Sequence, residues 1–111
     1  ARVGLLSGYY AVYRDTSPPY WRTITSTSTV FTNRNRARAW VKGTGITRAR
    51  NARRATVGDA GWILTSGDAT AVVWHQGRVA AQFSCEKVAR HRAVALALAR
   101  KQQRRIAAAL R

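Results

Sequence analysis

A long stretch at the C-terminal end of the chain, residues 84–111, contains no Gly and no Pro and consists mainly of Ala, Leu, Arg, Lys and Gln. These residue types have high helix propensity, so the stretch predicts a helix of about seven turns. Ser84 suits the N-cap, and Glu86 would place a negative charge in the first turn, where the helix dipole stabilises it. A helix this long is stable mainly through an apolar face, so the rest of the chain has to provide a surface for that face.

Helical periodicity divides this stretch into an apolar side and a cationic side. The apolar side holds Val88, Ala95, Leu96, Leu98, Ala99, Ile106 and Leu110, and the cationic side holds Lys87, Arg90, Arg100, Lys101, Arg104 and Arg105. Glu86 is the only acid in the stretch, so the cations lack the Glu partners that are common on a solvated helix. This imbalance favours a face that binds an anion over a face that is only solvated.

The same imbalance runs through the whole chain. Its 111 residues carry 20 Lys and Arg against 4 Asp and Glu, which gives a formal net charge of +16. With 46% hydrophobic residues, the chain is expected to fold as a single small basic domain, residues 1–111. GC-rich codons would also enrich Arg and Ala, but they supply Asp as readily, so that alternative leaves the shortage of acids unexplained. A polyanion, above all nucleic acid, is the expected partner.

The remaining pattern predicts an α+β fold with a small antiparallel sheet of about five short strands. Residues 3–14 and 20–32 predict a hairpin around the Pro-containing turn at 15–19. Residues 33–42 predict a short middle helix, capped by Asn33 and ended by Gly43. Three further strands follow between residues 61 and 84, with turns at 66–68 and 76–77. Their candidate core residues, which would pack against the long amphipathic C-terminal helix, are Val72, Trp74, Val79, Ala81 and Phe83.

The centre of the chain, residues 43–61, is rich in Gly and Arg and predicts a loop. This loop would join two halves of the domain, residues 1–45 and 59–111. At an offset of 52 residues, Phe31 aligns with Phe83 and Tyr10 aligns with Trp62. Such matches predict a duplicated ββα unit, and coincidence is the alternative.

The sequence gives little support for catalysis: Tyr9, Tyr10 and Tyr13, or Ser66 or Ser84, could supply a nucleophile for strand transfer, but an aromatic strand is more often core. The four acids fall at predicted turns or at a helix start, where they normally cap or are solvated, and the two His residues show no metal-binding spacing. Cys85 is the only Cys and is expected to be a packed thiol. The motifs of phosphate-binding loops, dinucleotide-binding folds and zinc fingers are also missing. We therefore expect a protein that is not an enzyme and has no catalytic residue, metal site or cofactor.

These observations predict a nucleic-acid-binding protein that contacts phosphates, of DNA or RNA, through arginines of the middle helix, the central loop and the C-terminal helix. The expected contacts are Arg34, Arg36, Arg38, Arg48, Arg50, Arg53, Arg54, Arg90, Arg100, Lys101, Arg104 and Arg105. The excess of seventeen Arg over three Lys favours bidentate contacts with phosphate. Each Trp is expected in the core more often than in contact with a base.

A structural subunit of a viral capsid or a ribonucleoprotein particle, with its basic face on packaged nucleic acid, is the alternative function. The sequence is also compatible with a protein that forms a homo-oligomer and with an origin in a phage or virus. Because the chain lacks an apolar run of about 18 residues and a signal-peptide pattern, we expect no membrane partner. The expected location is the cytoplasm or an intracellularly assembled particle.

Overall fold

Antiparallel strand pairing organises the chain in the computed structural model, which describes residues 5–15, 22–86 and 90–110. The strands are β1 (Leu5–Asp15), β2 (Arg22–Phe31), β3 (Ala52–Ala55), β4 (Ala60–Ser66), β5 (Ala69–Gln76) and β6 (Val79–Glu86). Two α-helices, α1 (Arg34–Gly43) and α2 (His91–Ala109), and a short 3-10 helix (Ile46–Arg48) complete the described elements. The predicted α+β class with an antiparallel sheet is confirmed.

The six strands form one sheet in the order β1-β2-β6-β5-β4-β3. Tight turns join β4 to β5 and β5 to β6, as the sequence predicts, and Gly67 and Gly77 supply the positive φ angles that these turns require. The β2–β6 pair, which runs from Thr23 opposite Glu86 to Val30 opposite Val79, brings distant parts of the chain together. β6 is consequently a central strand with hydrogen-bonded neighbours on both sides.

The two α-helices cover opposite faces of the sheet. Consecutive residues of β5 point to different sides, so Val72 and Trp74 pack in the cluster that includes α2, whereas Val73 packs in the cluster that includes α1. The predicted core residues of β5 and β6 all lie in the α2 cluster, with Ala95, Ala99 and Ile106 of the helix. On the other face, Ala37 and Val41 of α1 pack against Phe31, Val73 and Ala80. The result is a three-layer arrangement of helix, sheet and helix.

The predicted start of the C-terminal helix is wrong. Ser84, Cys85 and Glu86 lie in β6, and α2 begins at His91, after Arg90 in a left-handed conformation with φ 54°. Residues 84–86 form ladder pairs with both β2 and β5, so pairing on two sides overrides their helix propensity. Leu110 also differs from its predicted place on the apolar side, since it is 41% exposed beyond the last turn of α2. Lys87 and Val88 fall outside the described residues.

Two further differences concern the sheet. The central segment is not one loop, because it contains the 3-10 helix and the edge strand β3, which pairs Arg54 with Trp62 of β4. The strands number six where the sequence predicts about five, and β1 and β2 are not short, with 11 and 10 residues. The duplicated ββα unit stays a prediction. The 52-residue offset would align β2 with the end of β5, the turn that follows it and the start of β6, rather than with a single strand.

Candidate nucleic-acid interface

A stripe of cations follows α1 beside its buried face. Asn33 begins the helix, since its side-chain oxygen accepts a hydrogen bond from the backbone N–H of Arg36 at 2.9 Å. Ala37 and Val41 are buried against the sheet, and this contact fixes the rotation of the helix. Arg34, Arg38 and Lys42 are spaced four residues apart, so they lie one above the other along the edge of that contact. All three side chains are exposed.

This stripe forms one wall of a groove, called here the α1 groove, between α1 and the β3–β4–β5 side of the sheet. Its volume is about 490 Å³, within the range of small-ligand sites. The lining residues are Arg34, Arg38, Val41, Lys42, Thr47, Arg54, Asp59, Ala60, Trp62 and His75. Four of them are Arg or Lys and one is an acid. The groove is therefore a concave and strongly positive surface.

The opposite wall is a stacked pair of side chains. Arg54 of β3 and Trp62 of β4 are direct cross-strand partners, and the Arg54 guanidinium carbon lies 4.8 Å from the centroid of the indole ring. A cation over an aromatic face is attracted by the ring quadrupole, which orders the long Arg54 side chain. Arg54 is thus held in place while its remaining N–H groups stay exposed to a ligand.

His75 lies buried in the groove, with the exposed Asp59 beside it. The His75 side chain is 8% exposed, and its Nδ1 lies 3.9 Å from Asp59 Oδ2, too far for a hydrogen bond. Burial lowers the pKa of His75; the Asp59 carboxylate raises it, and the Arg38 and Arg34 guanidinium groups lower it further. The imidazole is therefore neutral near pH 7, with a buried Nδ1 that has no partner among the described residues.

Asp59 has a structural role that explains an acid in a positive groove. Its Oδ2 accepts a hydrogen bond from the backbone N–H of Gly77 at 2.7 Å and lies 3.9 Å from Arg34 Nε. The preceding residue, Gly58, has φ +65°, and a Cβ there would lie 2.5 Å from Trp74 Cδ1. Only Gly fits this close approach, so the backbone that carries Asp59 is held against β5.

A second basic surface lies on the other face of the sheet. Arg100, Lys101, Arg104 and Arg105, called here the α2 patch, are all exposed on the side of α2 that faces away from the core. They form two like-charged pairs at i,i+4, which destabilise an isolated helix by a few tenths of a kcal/mol each. No acid occurs between residues 90 and 110 to offset them.

Every basic residue predicted from the sequence is exposed, but the structure brings only some of them together. Arg34, Arg38 and Arg54 meet in the α1 groove, although Arg54 is far from the other two in sequence. Arg36 lies on the far side of α1, beside Trp40. The remaining predicted residues outside both surfaces are Arg48, Arg50, Arg53 and Arg90.

Sequence reasoning missed Lys42, Trp62 and His75 as groove residues. Lys42 could have been found, because it continues the four-residue spacing of Arg34 and Arg38. Trp62 and His75 carry no such signal, since their place in the groove depends on the register of β3, β4 and β5.

Among the described residues, no group of three or more His, Cys, Asp or Glu is arranged to hold a metal ion. No described helix combines the length and apolarity that crossing a membrane requires. Cys85 is buried in β6, and its Sγ lies 3.2 Å from the His91 carbonyl oxygen. Burial raises the pKa of the Cys85 thiol, consistent with the expected packed thiol.

Comparisons of the chain with protein-family models, curated proteins and solved structures find no match. Its function is therefore inferred from the geometry and charge of the two basic surfaces.

Proposed function

We propose that the protein binds nucleic acid by contacting the phosphate backbone, with the α1 groove as its main contact surface. The observation that carries the proposal is the convergence of Arg34, Arg38, Lys42 and Arg54 on one groove from two separate elements, α1 and β3. Four like charges repel each other, and the fold places them together with a single acid among the lining residues. A bound anion removes that repulsion.

The chemistry of the groove favours phosphate over other anions. Three of its four cations are Arg, whose planar N–H groups make paired hydrogen bonds with phosphate oxygens. Trp62 supports one of these cations, because the Arg54 guanidinium stacks on its ring and is thereby ordered for a phosphate oxygen. A ligand with several consecutive phosphates, as in a nucleic-acid backbone, can contact these cations together.

The test is a salt-titrated binding series, measured by fluorescence anisotropy, against duplex DNA, single-stranded DNA and duplex RNA. The groove variant combines Arg34→Ala, Arg38→Ala and Arg54→Ala. The control variant combines Arg36→Ala, Arg48→Ala and Arg50→Ala, which removes the same charge from exposed positions outside the groove. On duplex DNA the groove variant should lose about 0.9 in log-log salt slope for each lost phosphate contact. The control variant should lose much less.

Two results would contradict the proposal. Affinity of the wild-type protein that does not change between about 50 and 200 mM salt would exclude a phosphate-dominated interface. Equal losses in the groove and control variants would show that net charge, rather than the groove, determines binding.

One observation favours the alternative of an assembly subunit. Strand β1 lies at the edge of the sheet over 11 residues and pairs only with β2 among the described strands. An unpaired strand edge is a template for pairing with another copy of the chain. Light scattering of nuclease-treated protein separates the two functions, because a monodisperse monomer would count against an assembly subunit.

A further inference from the structure

The two basic surfaces lie on opposite faces of the sheet. The α1 groove opens on the face covered by α1, and the α2 patch lies on the outer side of the helix that covers the other face. The smallest extent of the molecule is 27 Å, well beyond the Debye length of about 8 Å at physiological ionic strength. An anion bound at one surface therefore changes the electrostatic potential at the other surface very little.

The α2 patch is not needed for packing. Ala95, Ala99 and Ile106 make the buried contact with the sheet, and Gln102 makes the polar contacts with β2. The four cations contribute to neither contact, and their mutual repulsion weakens the helix that carries them. These four exposed cations form a positive surface that can contact a polyanion separate from the one in the α1 groove.

A single duplex cannot reach both surfaces at low energetic cost. Smooth bending of about 20–30 base pairs by 40–90° already costs roughly 1–6 kcal/mol. Passing from one face of this molecule to the other requires the duplex to reverse its direction around a body whose smallest extent is 27 Å. The second surface is therefore free to contact a different duplex segment.

We propose that the protein bridges two duplex segments, one bound through its phosphate backbone at the α1 groove and the other bound through its backbone at the α2 patch. This inference rests on the proposed function, because each surface must first bind phosphates. Bridging requires no second copy of the chain, since one molecule carries both surfaces.

A capture experiment tests it. A biotinylated duplex DNA is immobilised on streptavidin beads, the protein is added, and retention of a second, fluorescent duplex is measured. The groove variant is compared with a patch variant that combines Arg100→Ala, Arg104→Ala and Arg105→Ala. Wild-type protein should retain the second duplex. Each variant should still bind one duplex in anisotropy but retain the second at least about tenfold less.

The outcomes distinguish the two proposals. Binding of one duplex by the wild-type protein without capture of a second would overturn bridging and leave the proposed function standing. Undiminished capture by either variant would also overturn it, because self-association of two copies would then make the bridge. Absence of wild-type binding to any nucleic acid would reject the proposed function itself.

Discussion

At the scale of single residues, His75 is a buried polar residue that lines the α1 groove. Its Nδ1 is buried without a hydrogen-bond partner among the described residues, and Asp59 Oδ2 is 3.9 Å away. An unpartnered buried polar atom costs about 1–3 kcal/mol, so the fold accepts a penalty at this position. A charged imidazole would cost still more, because burial and the two arginines of α1 oppose the proton.

This environment makes the stability of the protein depend on pH. Since the pKa of folded His75 lies below the ordinary histidine value of 6.5, the unfolded chain binds a proton more readily than the folded chain. The free energy of unfolding should therefore fall as pH decreases below about 6.5, by at most about 1.4 kcal/mol per pH unit. Urea denaturation of the wild-type protein and the His75→Gln variant between pH 7.5 and 5.5 checks this, and equal pH dependence in both proteins would contradict it.

The sequence predicts the environment of a residue when that environment depends on neighbouring positions in the chain or simply on burial of an apolar side chain. Alternation along the strands predicts Trp74 and Phe83 in the core, and both are buried there. The stacking of Arg54 on Trp62 could not be predicted, because it depends on a cross-strand register that no local pattern specifies. Cys85 was correctly expected to be packed, but its predicted place in a helix was wrong.

At the scale of elements, turns were more predictable than helix ends. Gly67 and Gly77 mark the two tight turns directly, because each adopts a positive φ angle. The start of α2 was mispredicted because propensity counts only local preferences, whereas residues 84–86 gain ladder partners on two sides. The edge strand β3 was missed for a related reason, since its four residues include two exposed arginines and show no apolar alternation.

Gln102 makes the side-chain hydrogen bonds that join α2 to β2. Its Oε1 accepts a hydrogen bond from Ser26 Oγ at 2.8 Å, and its Nε2 donates to Ser28 Oγ at 2.6 Å. Gln102→Ala leaves both part-buried hydroxyls without these partners, so it should destabilise the protein by about 1–3 kcal/mol in urea denaturation.

Gln103→Ala is the matched control for this prediction. The side chain of Gln103 makes no hydrogen bond to the described residues, whereas its backbone carbonyl, which the substitution retains, accepts one from Gln76. Its cost should stay within about 0.5 kcal/mol. Similar losses in the two variants would show that helix propensity, rather than the contact with β2, accounts for the effect.

At the scale of the whole molecule, the β2–β6 pairing positions the α1 groove. It joins β2, which leads into α1, to the sheet that carries β3, β4 and β5. This pairing joins strands that are distant in sequence, and periodicity cannot reveal which distant strands are neighbours. The sequence predicted a basic protein with an antiparallel sheet and two helices. It could not predict that the helices lie on opposite faces, nor that the cations of α1 and β3 share one groove.

The net charge of +16 implies that the folded state repels itself and that polyanions stabilise it. Sodium chloride should raise the Tm modestly through screening, whereas duplex DNA should raise it further through binding. At a hundredfold excess over its Kd, a ligand stabilises by about 2.7 kcal/mol, or roughly 10 °C in Tm for a domain of this size. Thermal denaturation at matched ionic strength, followed by circular dichroism, measures the difference between the two additions.

The groove and control variants show whether this stabilisation comes from a site or from charge in general. Both lose three arginines and so have the same net charge, and the Tm shift with sodium chloride alone is the reference for each variant. The additional shift with duplex DNA should be smaller in the groove variant, because its affinity is lower and the stabilisation depends on the ratio of ligand concentration to Kd. If duplex DNA and sodium chloride shift the wild-type Tm equally at matched ionic strength, the charges act only through screening and the α1 groove is not a binding site.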